Sequence, residues 1–504
     1  MLDGRVTHPT LEEVGTIAAT GDYRKVPVMR ELMGDGITVI EAFRALSAHS
    51  RHCFMLESAE PDQHTGRYSF LGFEPTLELS CTSGHLRVVT DPEGPQPRVT
   101  ECHVDHPADA IRQVIAANRA PQLEGFPPLA GGLVGYFSYD YLKYAEPTLR
   151  RDDLDHGDFR DVDLMLFEQL VVFDTYRSTI KLIALVDLGD PTGLAHAYAA
   201  AEDKICGMQA LLASGERRHY QPLHLTSPLT PRFSAAQFAS MVEAAKRHIF
   251  EGDIFQVVLS NPLTATAEGS LFDVYRLLRC ENPSPYMFYF SSDDIELAGA
   301  SPETLGRLTD GVLETYPLAG TRPRGATPQE DEALERELLA DQKELAEHTM
   351  LVDLGRNDLG HISKIGSVHV DRLMDVLRFS HFMHIGSTVR SQIADDKDAL
   401  DAIDSILPAG TLSGAPKIEA CTIIQELEGS QRGIYGGAIG YLDLSGNLDT
   451  CIGIRLAYKK AGTVCVQSGA GIVADSVPER EHQECLNKAR AVVNAIREAE
   501  GGLE

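Results

Sequence analysis

The sequence predicts an α/β protein of the α+β type whose strands run antiparallel, and three observations predict it. LMLFEQLVVFDTYRSTIKLIALVD (164–187) is two strand-forming runs broken at Asp174 to Ser178, a hairpin pattern. YGGAIGYLDLSGNLDTCIGIRLAYKKAGTVCVQSGAGIV, near the C-terminus, alternates strands with turns at Ser445-Gly446-Asn447 and Lys460-Ala461-Gly462. Turns that short cannot make parallel crossovers, so this segment reads as an antiparallel meander. Helical patterns at 193–214, 329–355 and 478–500 complete the class.

Taken in order, residues 1 to about 20 read as a loose arm, and RHCFMLESAE (51–60) and GRYSFLGFEP (66–75) as strands. After the 164–187 hairpin, GLAHAYAAAEDKICGMQALLAS (193–214) has helical spacing, and the polar, proline-bearing GERRHYQPLHLTSPLTPRF (215–233) reads as a linker. It divides the chain into residues 20–214 and 234–497. The second part opens with a helix in which Ser234 and Gln237 form a capping box and Gly252 a stop, followed by a strand, IFQVVLS (254–260). QEDEALERELLADQKELAEHTMLVDLG (329–355) reads as one long helix with Glu344 and Glu347 on one face. PEREHQECLNKARAVVNAIREAE (478–500) starts on a proline and sets Glu481, Glu484 and Lys488 beside an apolar stripe.

Composition narrows the function. Across 504 residues, 43% hydrophobic and 24% charged, the formal charge is −29, a field that repels phosphate backbones and anionic membranes and so argues against nucleic-acid binding. No apolar run approaches the ~18 residues that span a bilayer, and the start lacks a basic-then-apolar signal region. The expectation is a cytoplasmic protein. The nine cysteines are scattered without a CxxC pair, which suggests neither a zinc knuckle nor a disulfide framework.

The paired glutamates on two helices suit magnesium, a hard cation that keeps part of its water shell. The same spacing equally describes solvated acidic faces, and spacing alone does not choose. The motifs read together do. SPETL (301–305), PLAGTRPRG (317–325), ELAEHTMLVDLGRNDLG (344–360), LPAGTLSGAPK (407–417), IYGGAIGY (434–441), CIGIR (451–455) and QSGAGIVADSVPEREHQE (467–484) stand in the order found in chorismate-utilising enzymes. Over about 35–495 the chain resembles the anthranilate synthase component I family among them. MHIGS (383–387) departs slightly, with glycine where the family more often has valine.

The resemblance implies a sandwich of antiparallel sheets flanked by helices, the N-terminal half interleaved with the chorismate-binding half. It implies amination of chorismate by ammonia at ring carbon 2 with loss of the carbon-4 hydroxyl, then elimination of pyruvate to leave anthranilate. On its motifs, Glu347 and Glu484 would bind Mg²⁺, with Glu344 and Glu481 nearby. Gly320 and Thr321 would hold the ring carboxylate. Arg455 and Tyr435 would take the enolpyruvyl carboxylate, with contacts from Gly469, Ala470 and Gly471. Lys488 would line the substrate site, Glu303 would protonate the leaving hydroxyl, and His384 and Thr411 would be catalytic. Arg322 and Arg324 are weaker candidates that equally suit surface ion pairs.

Two positions select the reaction. In sister aminodeoxychorismate synthases a lysine nucleophile stands where this chain has Ala319, and in isochorismate and salicylate synthases a lysine base stands where it has Gln256. Gln256 orients a nucleophile without deprotonating it, which suits ammonia. The alternatives are aminodeoxychorismate synthase component I and a non-catalytic ligand-binding homologue. No cysteine sits on a nucleophile elbow, since KICGMQ (204–209) lacks the glycine spacing, so the resemblance implies a separate glutamine amidotransferase subunit supplying ammonia. It also implies feedback inhibition by tryptophan in a pocket lined by Glu57 and Ser58 and by Asn282, Pro283, Ser284, Pro285, Tyr286, Met287 and Phe288.

Overall fold

The computed structural model describes residues 6–59, 66–151, 159–378 and 382–503. Two antiparallel sheets, of 13 and 12 strands, carry the chain, and each joins strands from the N-terminal part to strands from the C-terminal part. In the larger sheet the seam is Cys53–Glu57 against Tyr286–Ser291, with Phe54 opposite Phe290 and Glu57 opposite Met287. In the smaller it is Gly132–Phe137 against Ala438–Asp443. The fold is thus the expected interleaved sandwich.

Period-two alternation divides the side chains between layers. Phe54, Phe288 and Phe290 point inward with Tyr136, Phe167, Ile439 and Tyr441 of the facing sheet, and together they form the central core. Their neighbours Cys53, Met55, Met287 and Tyr289 point outward, where Phe43, Phe272, Tyr275, Val492 and Ile496 of the flanking helices cover them. A second helical layer, including Ile111, Leu359 and Ile403, covers the outer face of the smaller sheet.

Several local expectations are changed. The arm holds a helix, Leu11–Ala18, capped by a reciprocal Thr10–Glu13 pair and anchored through fully buried Val14; residues 1–5 lie outside the described part. The supposed linker is docked, since His224–Leu225 and Thr230–Pro231 both pair with the strand Gln256–Glu268. The 329–355 pattern is two helices, Pro328–Ala340 and Gln342–Gly360. Asp341 breaks it because its carboxylate accepts hydrogen bonds from the N–H groups of Lys343 and Glu344, which starts a new helix. The capping box at Ser234 and the left-handed stop at Gly252 form as expected.

The C-terminal meander is also divided. Ala438–Asp443 and Leu448–Ile452 form a hairpin in the smaller sheet, while Leu456–Lys460 and Thr463–Ile472 form one in the larger. The chain changes sheets between Ile452 and Leu456, and again between Ser301 and Thr304. The two crossings lie side by side, because Gly299 pairs with Leu456 and Thr304 with Cys451. The backbone there is tied by Ala300 N–H to Arg455 O at 3.1 Å and Ile452 N–H to Glu303 O at 3.0 Å.

Beside this corner lies a buried ion pair of Arg432 and Glu428, 2% and 4% exposed. The guanidinium donates to both Glu428 oxygens, to Leu412 O at 2.7 Å and to Val258 O at 2.6 Å. Glu428 Oε1 also accepts from Ser260 N–H at 2.8 Å and Ser260 Oγ at 2.9 Å. Arg432→Leu leaves the Glu428 charge buried and unpaired, so the expected loss of stability is about 3–5 kcal/mol, read as the shift in urea unfolding. Adding Glu428→Gln should recover part of it; a single variant as stable as wild type would contradict this role.

Candidate active site

The two adjacent crossings at this corner carry Glu303 and Arg455. Both lie just outside regular strands, where side chains are not committed to pairing neighbours. Arg455 is a non-glycine residue at φ 54°, a conformation that costs energy and re-aims its side chain out of strand alternation. Its Nη1 donates to Lys488 O at 2.9 Å, and among the described residues it makes no ion pair with an acid. Burial pushes its pKa below the ordinary arginine value. A shielded guanidinium without a carboxylate partner is a ready anion holder.

Glu303 is partly buried at the same corner, and burial raises its pKa to about 7 against the opposing effects of Thr411 and Lys488. Thr411, in the short turn Gly410–Leu412, donates its hydroxyl to Glu303 Oε1 at 3.1 Å. A carboxyl that keeps its proton near neutrality is suited to general-acid work.

His384 and Thr321 face each other across adjacent strands, in register, with Oγ1 and Nδ1 3.1 Å apart. The His384 Nδ1–H donates to Gly320 O at 3.1 Å, which leaves the basic lone pair on Nε2. Burial lowers the histidine pKa, against the hydrogen bond to Gly320 and together with the nearby charge of Arg455. Gly320 is required: its φ is 66°, and an added Cβ would lie 3.2 Å from Glu344 Oε2.

The expected close glycines are also explained. A Cβ on Gly469 would lie 2.7 Å from Tyr435 Oη and 2.7 Å from Leu259 O; one on Gly471 would lie 2.8 Å from Gln256 Nε2. The strand Thr463–Ile472, with buried Ala470 between them, therefore admits Tyr435 and Gln256 against its backbone. Gln256 itself is buried opposite Ala415.

Glu344 and Glu347 on Gln342–Gly360 look toward Glu484 on Pro478–Ala499. Burial, then the negative charges of Glu344 and Glu484, raise the Glu347 pKa, opposed by Lys343 and Lys488. Lys488 Nζ is 2.7 Å from Glu484 Oε1. Surplus carboxylates on two facing helices, one shielded from water, match the donor chemistry of a hard divalent cation. They are not drawn into a tight ligand cluster. Among the described residues, the group of three metal-type ligand atoms all within 4.8 Å of one another is His248, Glu251 and Asp253, at the surface. Glu481 stands one turn before Glu484 on the same helix.

Arg322 and Arg324 do pair with acids, Arg322 with Glu337 and Asp341 and Arg324 with the largely buried Asp331. At 3.6 Å Arg322 also reaches Glu344. The sequence reading overlooked Arg432 and Glu428, although an oppositely charged i,i+4 pair is a visible signal. At the seam, Glu57 accepts from Tyr275 Oη at 2.5 Å and from Arg279 Nε at 2.8 Å. Ser284 O accepts from Ala59 N–H at 3.1 Å, which brings the two expected segments together. Met287 shares Glu57's face, whereas Tyr286 and Phe288 point to the other one, Tyr286 Oη reaching Asp449.

The chain is similar to known proteins over nearly its whole length. A family model described as chorismate binding enzyme matches residues 51–494. Anthranilate synthase component 1 of Acetivibrio thermocellus is 43% identical over 98% of this chain and 99% of its own, and that of Acinetobacter calcoaceticus 40% identical over 96% and 97%. The crystal structure of anthranilate synthase component I from Streptococcus pneumoniae superposes with a TM-score of 0.73 at 34% identity, covering 92% of this chain and 98% of that one.

The raised pKa of Glu303 predicts a pH dependence. Between the ordinary glutamate value of 4.5 and about 7, the unfolded chain releases this proton while the folded chain keeps it. The folded state then binds more protons, so this group lowers stability as pH rises through that window. Glu303→Gln removes the effect, and its melting temperature relative to wild type should rise between pH 5 and pH 8. An unchanged difference would show that Glu303 ionises normally.

Proposed function

The chain belongs to the chorismate binding enzyme family, and on that premise we propose that it carries out the anthranilate synthase component 1 reaction. Chorismate and ammonia give anthranilate, pyruvate and water. The observation that carries this reading is the corner of two adjacent sheet crossings: one holds Glu303, its pKa raised by burial and its carboxylate tied to Thr411, and the other holds Arg455, which has no acidic partner among the described residues.

Arg455 takes the enolpyruvyl carboxylate as a two-point fork, with Tyr435 and the Gly469–Gly471 backbone closing around it. Gly320 and Thr321 hold the ring carboxylate, Lys488 adds a positive charge, and Gln256 orients the incoming ammonia, whose own lone pair attacks ring carbon 2. Glu303 gives its proton to the carbon-4 hydroxyl, which leaves as water. His384, through Nε2, takes a proton in the elimination that releases pyruvate. Glu347 and Glu484, with Glu344 and Glu481 behind them, would hold Mg²⁺, which when bound supplies positive charge against the ring carboxylate. Ala319 supports direct amination, because the covalent lysine of the aminodeoxychorismate route has no counterpart there.

Purified protein with chorismate, Mg²⁺ and ammonium should form anthranilate, identified by its fluorescence and mass, and lose the activity on chelation. para-Aminodeoxychorismate as product, or turnover insensitive to chelator, would refute the assignment. In the same assay Glu303→Gln should lower kcat by roughly 10²–10⁴-fold.

Component 1 in the relatives' names implies a second component. In our reading it is a glutamine amidotransferase that delivers ammonia, and the complex works in the cytoplasm. Among the described residues no helix is long and apolar enough to cross a membrane.

Tryptophan, the product of the pathway anthranilate begins, acts as a feedback inhibitor at the seam of the larger sheet. Supporting this, Glu57, Ser58 and the 282–288 segment meet where the two halves of the chain pair. A ligand there favours one arrangement of the halves over another and changes affinity at the chorismate site. Ser58→Ala should weaken inhibition with little loss of uninhibited activity. Wild-type enzyme unaffected by millimolar tryptophan would refute it.

A further inference from the structure

The helix Gln342–Gly360 carries a histidine that the proposed chemistry leaves unused. His348 is fully buried, with Glu347 immediately before it and Glu344 one turn earlier. Its Nε2 lies 2.6 Å from Ser387 Oγ. The other ring nitrogen, Nδ1, is buried without a hydrogen-bond partner among the described residues. An orphaned polar atom in the interior costs stability, and a leucine at this position would carry no such cost. What the imidazole supplies that a hydrocarbon cannot is one directed bond from the helix to the sheet.

Ser387 is a junction. On the strand Phe382–Gln392 it stands three residues after His384 and is itself buried. Its N–H donates to Pro317 O at 3.1 Å, at the entry to the strand Leu318–Pro323 that holds Gly320 and Thr321. On the other side, in the strand His369–Arg378, Arg372 pairs with Thr388 and Asp375 with Gly386, so Leu373 and Met374 together oppose Ser387 as a bulge. Met374, at φ 59°, donates its N–H to Ser387 Oγ at 2.9 Å. The hydroxyl therefore joins the histidine to a backbone group that the bulge presents.

The helix is fastened again two turns further on. A Cβ added at Gly355 would lie 3.0 Å from Thr315 Cγ2 and 3.6 Å from Pro317 Cγ, so helix and sheet approach closely there. Residues seven apart share a helix face, which turns both Gly355 and His348 to the sheet. Gly355 sets how near the helix comes, and His348 with Ser387 sets the end that carries Glu344 and Glu347.

From this geometry we infer that His348 is a positioning residue: its bond to Ser387 fixes where Glu344 and Glu347 stand relative to the strands of Gly320, Thr321 and His384. The inference rests on the proposed function, in which these acids hold the metal ion against the carboxylate that Gly320 and Thr321 bind. A shift of the helix by about 1 Å would move the acids off that site by an amount that costs on the order of 10²-fold in rate.

The test compares wild type with His348→Leu, His348→Gln, Ser387→Ala and the double variant His348→Leu/Ser387→Ala. Each is titrated with Mn²⁺, read by electron paramagnetic resonance, and assayed with chorismate, ammonium and varied Mg²⁺; melting temperatures are recorded for all. His348→Leu and Ser387→Ala should each weaken Mn²⁺ binding about tenfold and raise the Mg²⁺ needed for half-maximal rate by a similar factor. Their kcat should fall by roughly 10–10²-fold, with the chorismate KM changed about threefold or less. The double variant should lose no more than the worse single one, because both substitutions remove the same bond. His348→Gln, whose amide reaches the place of Nε2, should stay within about threefold of wild type. A purely structural histidine would lower the melting temperature yet leave Mn²⁺ affinity and kcat unchanged well below it. That result overturns the inference, as do losses that add in the double variant or a glutamine variant that behaves like the leucine one. Wild type that binds no Mn²⁺ overturns it too. Wild type that binds Mn²⁺ but makes no anthranilate refutes the proposed function instead, and the Mn²⁺ affinities of the variants then decide the positioning role. Should His348→Leu unfold early, Ser387→Ala and His348→Gln carry the same comparison.

Discussion

Most of the active-site geometry hangs on one buried charge pair. Arg432 ties Glu428 at the end of the Lys417–Glu428 helix to Leu412 O and Val258 O, and Glu428 in turn holds Ser260. Three segments distant in sequence are thereby held together: the strand of Gln256, the turn of Thr411, and the helix after it. The rings of Tyr139 and Tyr435 lie 4.8 Å and 5.7 Å from the guanidinium, so the pair is shielded from water on the sides where it is not hydrogen-bonded. Burying two charges is costly unless every donor and acceptor is used. Here they are used on backbone carbonyls whose positions set the site, which turns the cost into precise placement.

The second constraint is topological. A sandwich whose sheets exchange strands must cross from one layer to the other, and regular pairing stops at each crossing. Two adjacent crossings occur at Pro302-Glu303 and Gly453 to Arg455. Side chains there are free of strand alternation, and the left-handed backbone of Arg455 is tolerated because neighbouring pairs on both sheets hold its ends. The segments of Glu303 and Arg455 are therefore neighbours because the sheets are interleaved. The two seams follow the same logic: each sheet joins N-terminal to C-terminal strands, and the pair of Glu57 and Met287 belongs to the sheet that carries Gly469 and Gln256.

Electrostatics then separates roles among similar groups. Glu303 and Glu347 are both carboxylates raised by burial, yet Glu303 has a hydroxyl donor and a distant lysine around it, whereas Glu347 faces two more carboxylates. The first environment suits holding a proton and the second suits a cation. The His384 pKa is lowered by burial and by the charge of Arg455, against the hydrogen bond to Gly320.

Much of this was legible in one dimension. Capping at Ser234 and Gly252, the 194–213 and 478–499 helices, the turn at 175–178 and the antiparallel character all follow from local chemistry: caps, short turns and periodicity act within a few residues. The ordered motifs made the family and the candidate site residues readable, including Ala319 and Gln256. The break at Asp341, the docking of 215–233 and the helix in the N-terminal arm were misread because a capping side chain, an edge strand or a single buried valine outweighs average propensity. Sequence alone determined which chemical groups the chain carries and in what order. Only the tertiary structure decided that the C-terminal meander splits between two sheets, that the crossings carrying Glu303 and Arg455 lie side by side, and that burial shifts their pKa values. Those outcomes depend on strand pairing and desolvation between residues more than a hundred positions apart, and no local pattern encodes them.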